Sequence, residues 1–240
     1  MIEVKNLNKT FGKQVVLNKL NITIPSGLIF ALLGPNGSGK STFIKCLLGL
    51  ALPDNKNSIF LNGQNISEDV HYKERISYMP QSPSFPANLK VKEIIKLNEN
   101  LNAKEPIFKD ILIKDLSIDS FYDKPFSKLS RGMKQKVNIL QCFMYDRDIY
   151  IIDEATASLS PDISFYLKNL LKTKEKENKL LLFTSHVMSE VEELAKKVAV
   201  LLEGKLVLLG NPADIISSTK GKNLEESIRL LWKTKQNENV

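Results

Sequence analysis

The chain has 240 residues, 42% hydrophobic and 25% charged, with 34 Lys and Arg against 27 Asp and Glu for a net charge of +7. At about 100–200 residues per domain that length suits one sizeable domain or two small ones, and the composition excludes a disordered chain. No apolar stretch approaches the roughly 18 residues of a membrane-spanning helix, and Met1 to Lys5 lack the basic start and apolar centre of a secretion signal, so the expectation is a protein neither secreted nor by itself a membrane channel.

Taken in order, the first segments read as strands over Ile2–Leu7, Val15–Ile24 and Leu28–Leu33, punctuated by Gly12 and by Pro25-Ser26-Gly27. A glycine-rich loop follows, then Lys40–Leu50 with the composition of a buried helix, then strand-like pieces at Ser58–Leu61 and Ile76–Met79. From Val91 to about Tyr145 the pattern turns helical, and residues from about 82 to 145 read as a helical insertion. Ile149–Ile152 is an uninterrupted apolar run, as expected of a parallel strand covered on both faces. A helix, a strand over Leu180–Thr184, a helix over Val187–Ala195 and two short strands (Val198–Leu202 and Lys205–Leu209) complete the core. This alternation predicts one α/β domain over residues 1–240 with a mainly parallel sheet and antiparallel strands at its N-terminus. A helical tail is expected over about 212–236. There Asn223 and Glu226 resemble a capping box, and Leu224, Ile228, Leu231 and Trp232 share a face suited to core packing or to a partner surface.

Several features carry little chemistry. Cys46 and Cys142 lie far apart without CxxC spacing, and with only His71 and His186 besides they suggest buried thiols rather than a disulfide or zinc framework. Met79, Met133, Met144 and Met188 are scattered and read as packing residues. The run Lys172–Lys179 mixes both signs, which fits a solvated helix face better than a nucleic-acid patch.

The strongest signal is Gly34-Pro35-Asn36-Gly37-Ser38-Gly39-Lys40-Ser41-Thr42, a match to GxxxxGK[ST] that follows an apolar strand and opens a helix. Glycines allow the tight turn that points backbone N–H groups at phosphate oxygens, and the helix N-terminus adds its positive dipole end. Lys40 then supplies a point charge to the β- and γ-phosphates, and the Ser41 hydroxyl reaches Mg²⁺. Downstream, the apolar run 149–152 ends in Asp153 and Glu154. A carboxylate there lies at the C-terminal edge of a strand, where α/β ligands bind, so Asp153 suits the metal shell and Glu154 suits a general base.

The order of these motifs resembles the nucleotide-binding subunit of ABC transporters over essentially the whole chain. Leu129-Ser130-Arg131-Gly132-Met133-Lys134-Gln135 is similar to that family's LSGGQ signature. The resemblance implies a P-loop NTPase core and ATP and Mg²⁺ as cofactors, with Ser130 and Gly132 on the γ-phosphate of the opposite subunit. Gln81 falls where the family places a glutamine that senses Mg²⁺ and water, and His186 where it places a switch histidine. Phe11 stands where an aromatic stacks on adenine, or is a core residue of a strand-end turn. The resemblance further implies a head-to-tail dimer, a separate membrane permease docking near Gln81–Lys96, and a peripheral place at the cytoplasmic membrane face. Arg131 replaces the first signature glycine, Ala155 the proline after the catalytic Glu, and Ser158-Leu159-Ser160 lacks the aspartate expected before Pro161. Lys40, Asp153, Glu154 and His186 are intact, so the expectation is a competent ATPase. Rival readings are a non-transport ABC ATPase acting on nucleic acid or the ribosome, a non-hydrolysing regulatory module, and a GTPase, which lacks an NKxD motif here. Residues 184–193 and Asn223-Leu224-Glu225 also resemble a subgroup linked to copper-site maturation of nitrous oxide reductase.

Overall fold

The structure is a computed structural model that describes residues 1–154 and 159–237, with side chains described as far as Leu231. Ala155, Ser158 and the Trp232 side chain therefore lie outside the described residues. Strands β1 (Ile2–Phe11) and β2 (Gln14–Ile24) form an antiparallel hairpin, and with β4 (Ile59–Leu61) and β5 (Gln64–Asn65) they make a four-stranded sheet in the order β2-β1-β4-β5. β1 runs past the expected end at Leu7 because Lys9, Thr10 and Phe11 go on pairing with Leu17, Val15 and Gln14 through register shifts.

The second sheet has the order β10-β9-β3-β8-β7-β6. Five strands run parallel: β3 (Leu28–Leu33), β6 (Ile76–Met79), β7 (Ile149–Asp153), β8 (Leu180–Thr184) and β9 (Lys197–Leu202). β10 (Lys205–Gly210) is antiparallel to β9 at one edge. The apolar runs follow from burial on both faces. Phe30, Leu32, Ile149, Ile151, Leu180 and Leu182 enter a core shared with the first sheet and with helix α1 (Lys40–Leu47). The alternate residues Ile29, Ala31, Leu33, Tyr150, Ile152, Leu181 and Phe183 enter a second core. Side chains of a strand point alternately up and down, so one stretch of sequence supplies both.

Helices α2 (Val91–Leu101), α3 (Lys109–Asp115) and α4 (Arg131–Phe143) lie between β6 and β7 in the chain and pack on the second core. Helices α5 (Pro161–Lys176), α6 (Met188–Leu194), α7 (Pro212–Thr219) and α8 (Leu224–Asn237) follow. In the tail, Leu224 and Ile228 are buried in the second core, so this face packs on the body of the protein. The Asn223 side chain accepts from the N–H of Glu226, while the Glu226 carboxylate accepts from the N–H of Lys222 rather than closing a reciprocal box on Asn223. The run at 172–179 also departs from a simple solvated face. Lys174 is buried, with its ammonium 4.1 Å from the Phe108 ring centre and 2.7 Å from Glu177, whereas Lys172 reaches out to Glu193. Among the described residues no helix is long and apolar enough to cross a membrane.

This topology positions the site. Asp153 pairs with Thr184, Ile152 with both Met79 and Phe183, and Phe183 with Ala31. The ends of β6, β7, β8 and β3 therefore lie side by side along one edge of the sheet.

Candidate functional site

The loop from Gly34 to Gly39 joins β3 to α1 at that edge. Gly39 is left-handed at φ 104, and a Cβ there would come within 2.8 Å of a Leu17 methyl and 3.0 Å of the Val16 carbonyl oxygen. Only glycine lets the loop turn this close to β2. The turn between β9 and β10 supports the loop from below. The N–H of Gly204 donates to the Ser38 carbonyl at 3.0 Å, and a Cβ on Gly204 would lie 2.2 Å from the Val16 carbonyl oxygen. Nothing in the motif pattern pointed to Gly204; its signal was a Glu-Gly pair between two apolar runs.

Lys40 is only 6% exposed, and its ammonium donates to the carbonyls of Gly34 at 2.7 Å and Pro35 at 3.2 Å. Burial lowers its pKa from the ordinary lysine range, and the charges of Glu154 and Asp153 oppose that shift. Both carboxylates thus lie within electrostatic reach of the loop. Ser41 is exposed at the start of α1, and among the described residues no side chain caps that helix.

Asp153 accepts a hydrogen bond from the Thr184 hydroxyl at 2.7 Å and a long one from Tyr78 at 3.4 Å. Burial pushes the Tyr78 phenol up to about 12, with the Asp153 charge adding to it, so it stays a neutral donor. Glu154 has φ 48, an uncommon conformation for a residue with a Cβ. Its N–H reaches both the hydroxyl and the carbonyl oxygen of Thr184, at 2.9 and 3.1 Å. Its two carboxylate oxygens meet the two loop residues that the sequence singled out. Gln81 Nε2 donates to Oε2 at 2.9 Å, and His186 Nε2 lies 2.6 Å from Oε1. An ionised carboxylate only accepts, so in that pair Nε2 carries the proton.

Gln81 is held in turn from α4. The buried amides of Gln135 and Asn138 donate to the carbonyls of Gln81 at 3.2 Å and Pro80 at 2.8 Å. These two residues and Thr184 were missed as site residues. Their signal was a polar side chain at an apolar position of its helix or strand. Ser130 caps α4, its hydroxyl accepting from the N–H of Met133 at 3.3 Å, and Ser130 and Gly132 are exposed at the helix start. Phe11 is 51% exposed at the tip of the first hairpin, with the Lys9 ammonium 4.9 Å from its ring centre, so it is a surface aromatic rather than a core one. The structure brings Lys40, Asp153, Glu154, Gln81 and His186 together, while the exposed Ser130 and Gly132 open a separate helix.

The donor set fits a nucleotide triphosphate with a divalent cation. Among the described residues, Ser38 Oγ in the phosphate loop is buried with no hydrogen-bond partner, the first turn of α1 offers uncapped backbone N–H groups, and Lys40 adds a positive charge. A serine hydroxyl and a carboxylate are hard oxygen ligands suited to Mg²⁺.

The profile of the ABC transporter family matches residues 17–157. The chain belongs to that family. The lantibiotic transport ATP-binding protein SrtF of Streptococcus pyogenes is 31% identical over 209 residues, which are 87% of this chain and 90% of that one. The bacitracin transport ATP-binding protein BcrA of Enterococcus faecalis is 34% identical over 86% of this chain and 68% of its own length. The Nod factor export ATP-binding protein I of Burkholderia lata is 30% identical over 94% and 75%. Among solved structures, an ATP-binding subunit of an ABC transporter superposes with a TM-score of 0.87 at 27% identity, covering 96% of this chain and 99% of that one. The expected P-loop NTPase architecture of ABC ATPases, antiparallel at its start and mainly parallel beyond, is therefore the observed one. The three relatives' names do not bear on the copper-linked subgroup.

Proposed function

We propose that the chain binds ATP with Mg²⁺ and hydrolyses it, as the subunit that energises a separate membrane permease. The observation that carries this reading is the arrangement of Glu154, with both oxygens engaged by Gln81 and His186 and its backbone fixed by Thr184, on the sheet edge that holds the phosphate loop. The loop N–H groups and Lys40 would hold the β- and γ-phosphates, and the exposed Phe11 offers a face for the adenine. Ser41 and Asp153, with Gln81, would hold Mg²⁺, which would supply neutralisation of the phosphate charge, with ADP as the leaving group. Each oxygen of Glu154 keeps a lone pair, so it can take the proton of a water whose oxygen attacks the γ-phosphorus. His186 and Gln81 orient that carboxylate.

Ser130 and Gly132 at the start of the 13-residue α4 would meet the γ-phosphate bound by a second copy. A chain with both half-sites closes as a two-fold pair with two complete sites, and ATP bound only in that closed pair pulls the equilibrium towards it. The three relatives carry the names of a lantibiotic, bacitracin and a Nod factor at 30–34% identity. Relatives of this one chain are named for chemically unlike cargoes, which supports a cargo chosen by the permease rather than by this subunit. The permease would dock near Gln81–Lys96 and hold the subunit at the cytoplasmic membrane face.

Glu154→Gln tests the reading. It keeps the size of the side chain and removes the proton acceptor, so turnover should fall by about 100-fold or more while ATP binding persists. With ATP the variant should elute as a dimer in size-exclusion chromatography. Phosphate release at the wild-type rate would remove Glu154 as the base.

A further inference from the structure

We propose that the Thr184 hydroxyl is the positioning group that sets both carboxylates of the site, resting on the reading of Asp153 and Glu154 given above. A hydroxyl has one proton and two lone pairs. Here the proton goes to Asp153 Oδ1 at 2.7 Å, and a lone pair takes the N–H of Glu154 at 2.9 Å. One atom therefore touches the side chain of the first acid and the backbone of the second. Thr184 is 1% exposed, so water does not compete for either bond. Its strand is otherwise apolar from Leu180 to Phe183, and Phe183 packs into the core. A hydroxyl at the end of such a strand is costly to bury unless it is bonded, and both its bonds lead to the acids.

The two bonds have separate consequences. Donation to Oδ1 fixes the plane of the Asp153 carboxylate and leaves Oδ2, which among the described residues has the long Tyr78 contact, as the oxygen available to the metal. Acceptance from the Glu154 N–H holds that residue at φ 48, the left-handed turn from which its carboxylate reaches Gln81 and His186 at once. If the hydroxyl is removed, the Glu154 N–H keeps the Thr184 carbonyl at 3.1 Å but loses its shorter partner, and Asp153 loses its closest donor. Binding at the phosphate loop does not depend on either bond.

Thr184→Val keeps the shape and deletes the hydroxyl, Thr184→Ala deletes it with less steric demand, and Thr184→Ser keeps it. Each full-length protein is measured for kcat, for affinity towards a fluorescent ATP analogue without metal, for the Mg²⁺ concentration that half-maximally tightens that binding, and for its urea midpoint. Thr184→Val and Thr184→Ala should lower kcat roughly tenfold or more and raise the half-maximal Mg²⁺ concentration several-fold, with metal-free nucleotide affinity within about twofold of the parent. Thr184→Ser should stay close to the parent on all counts. The proposal is overturned if Thr184→Val or Thr184→Ala turns over like the parent. It is also overturned if Thr184→Ser loses as much as they do, since the methyl and not the hydroxyl then matters. Glu154→Gln measured beside them separates the two ideas. An inactive Glu154→Gln with a fully active Thr184→Val removes the role of Thr184 alone, and an active Glu154→Gln removes the base assignment itself.

Discussion

At Lys40 burial pulls the pKa of the ammonium below its ordinary 10.5, and Glu154 and Asp153 pull it partly back. The sign of the effect on stability follows from linkage. The folded state binds this proton less tightly than the unfolded chain, so the charged lysine opposes folding at neutral pH, and that penalty fades as pH rises through the lowered pKa towards 10.5. A polyphosphate beside the ammonium reverses the balance by supplying the missing countercharge. Ligand at about 100 times its dissociation constant stabilises a fold by about 2.7 kcal/mol. In a domain of this size that is a rise in Tm of about 5–10 °C. ATP should produce that rise in the parent and almost none in Lys40→Ala, measured by thermal melts with and without nucleotide. An equal rise in both proteins would contradict the role given to Lys40. The glycine and lysine spacing of this loop was legible in the sequence because few other arrangements need those residues. Gly204, which braces the loop from a distant hairpin, was not, since its need for a missing Cβ arises only because a Cβ there would lie 2.2 Å from the Val16 carbonyl oxygen.

At the scale of elements, α4 joins two regions that are far apart in the chain. Its first turn carries the exposed Ser130 and Gly132, and its inner face carries Gln135 and Asn138 against the carbonyls of Gln81 and Pro80. Its helical character was legible from the pattern that runs from Val91 to about Tyr145. Its grip on the Gln81 loop was not, because helical period gives the direction of a side chain and not the partner it meets. Asn138 also donates to Gln135 at 3.3 Å, so the two amides act as one unit. Asn138→Leu fits the apolar surroundings but leaves the Pro80 carbonyl without its amide. The expected loss of stability is about 1–3 kcal/mol, read as a lower urea midpoint. Turnover should fall as well, by a few-fold, because Gln81 then holds Glu154 less firmly, whereas nucleotide affinity should not change. A loss of stability with unchanged turnover would make the amides a packing feature only. The same lesson applies to α5, where the mixed run of charges read as a solvated face. Lys174 lies on the inward side and meets Phe108, and charge alone does not report that phase.

Across the whole molecule, the alternation of elements and the long apolar runs made the parallel sheet legible, and the order of motifs along its edge made most of the site legible. The apolar run at Ile149–Ile152 implied cover on both faces, but pattern did not reveal which other residues make up each of the two cores. Cys46 belongs to the core shared with the first sheet, and Cys142 to the core under α4 on the other face. Burial pushes the Cys46 thiol up to about 11 and the Cys142 thiol higher still, so neither forms appreciable thiolate near pH 8. Both should resist iodoacetamide in the native protein. Strands β3, β7 and β8 send alternate residues to the two sides, so losing either core strips those strands of half their packing. The two thiols should therefore become reactive at one urea midpoint, followed by mass spectrometry of the two cysteine peptides after brief labelling. If Cys142 is labelled at a clearly lower urea concentration than Cys46, the helices between β6 and β7 open as a separate unit. The sheet would then not bind its two faces into one cooperative fold.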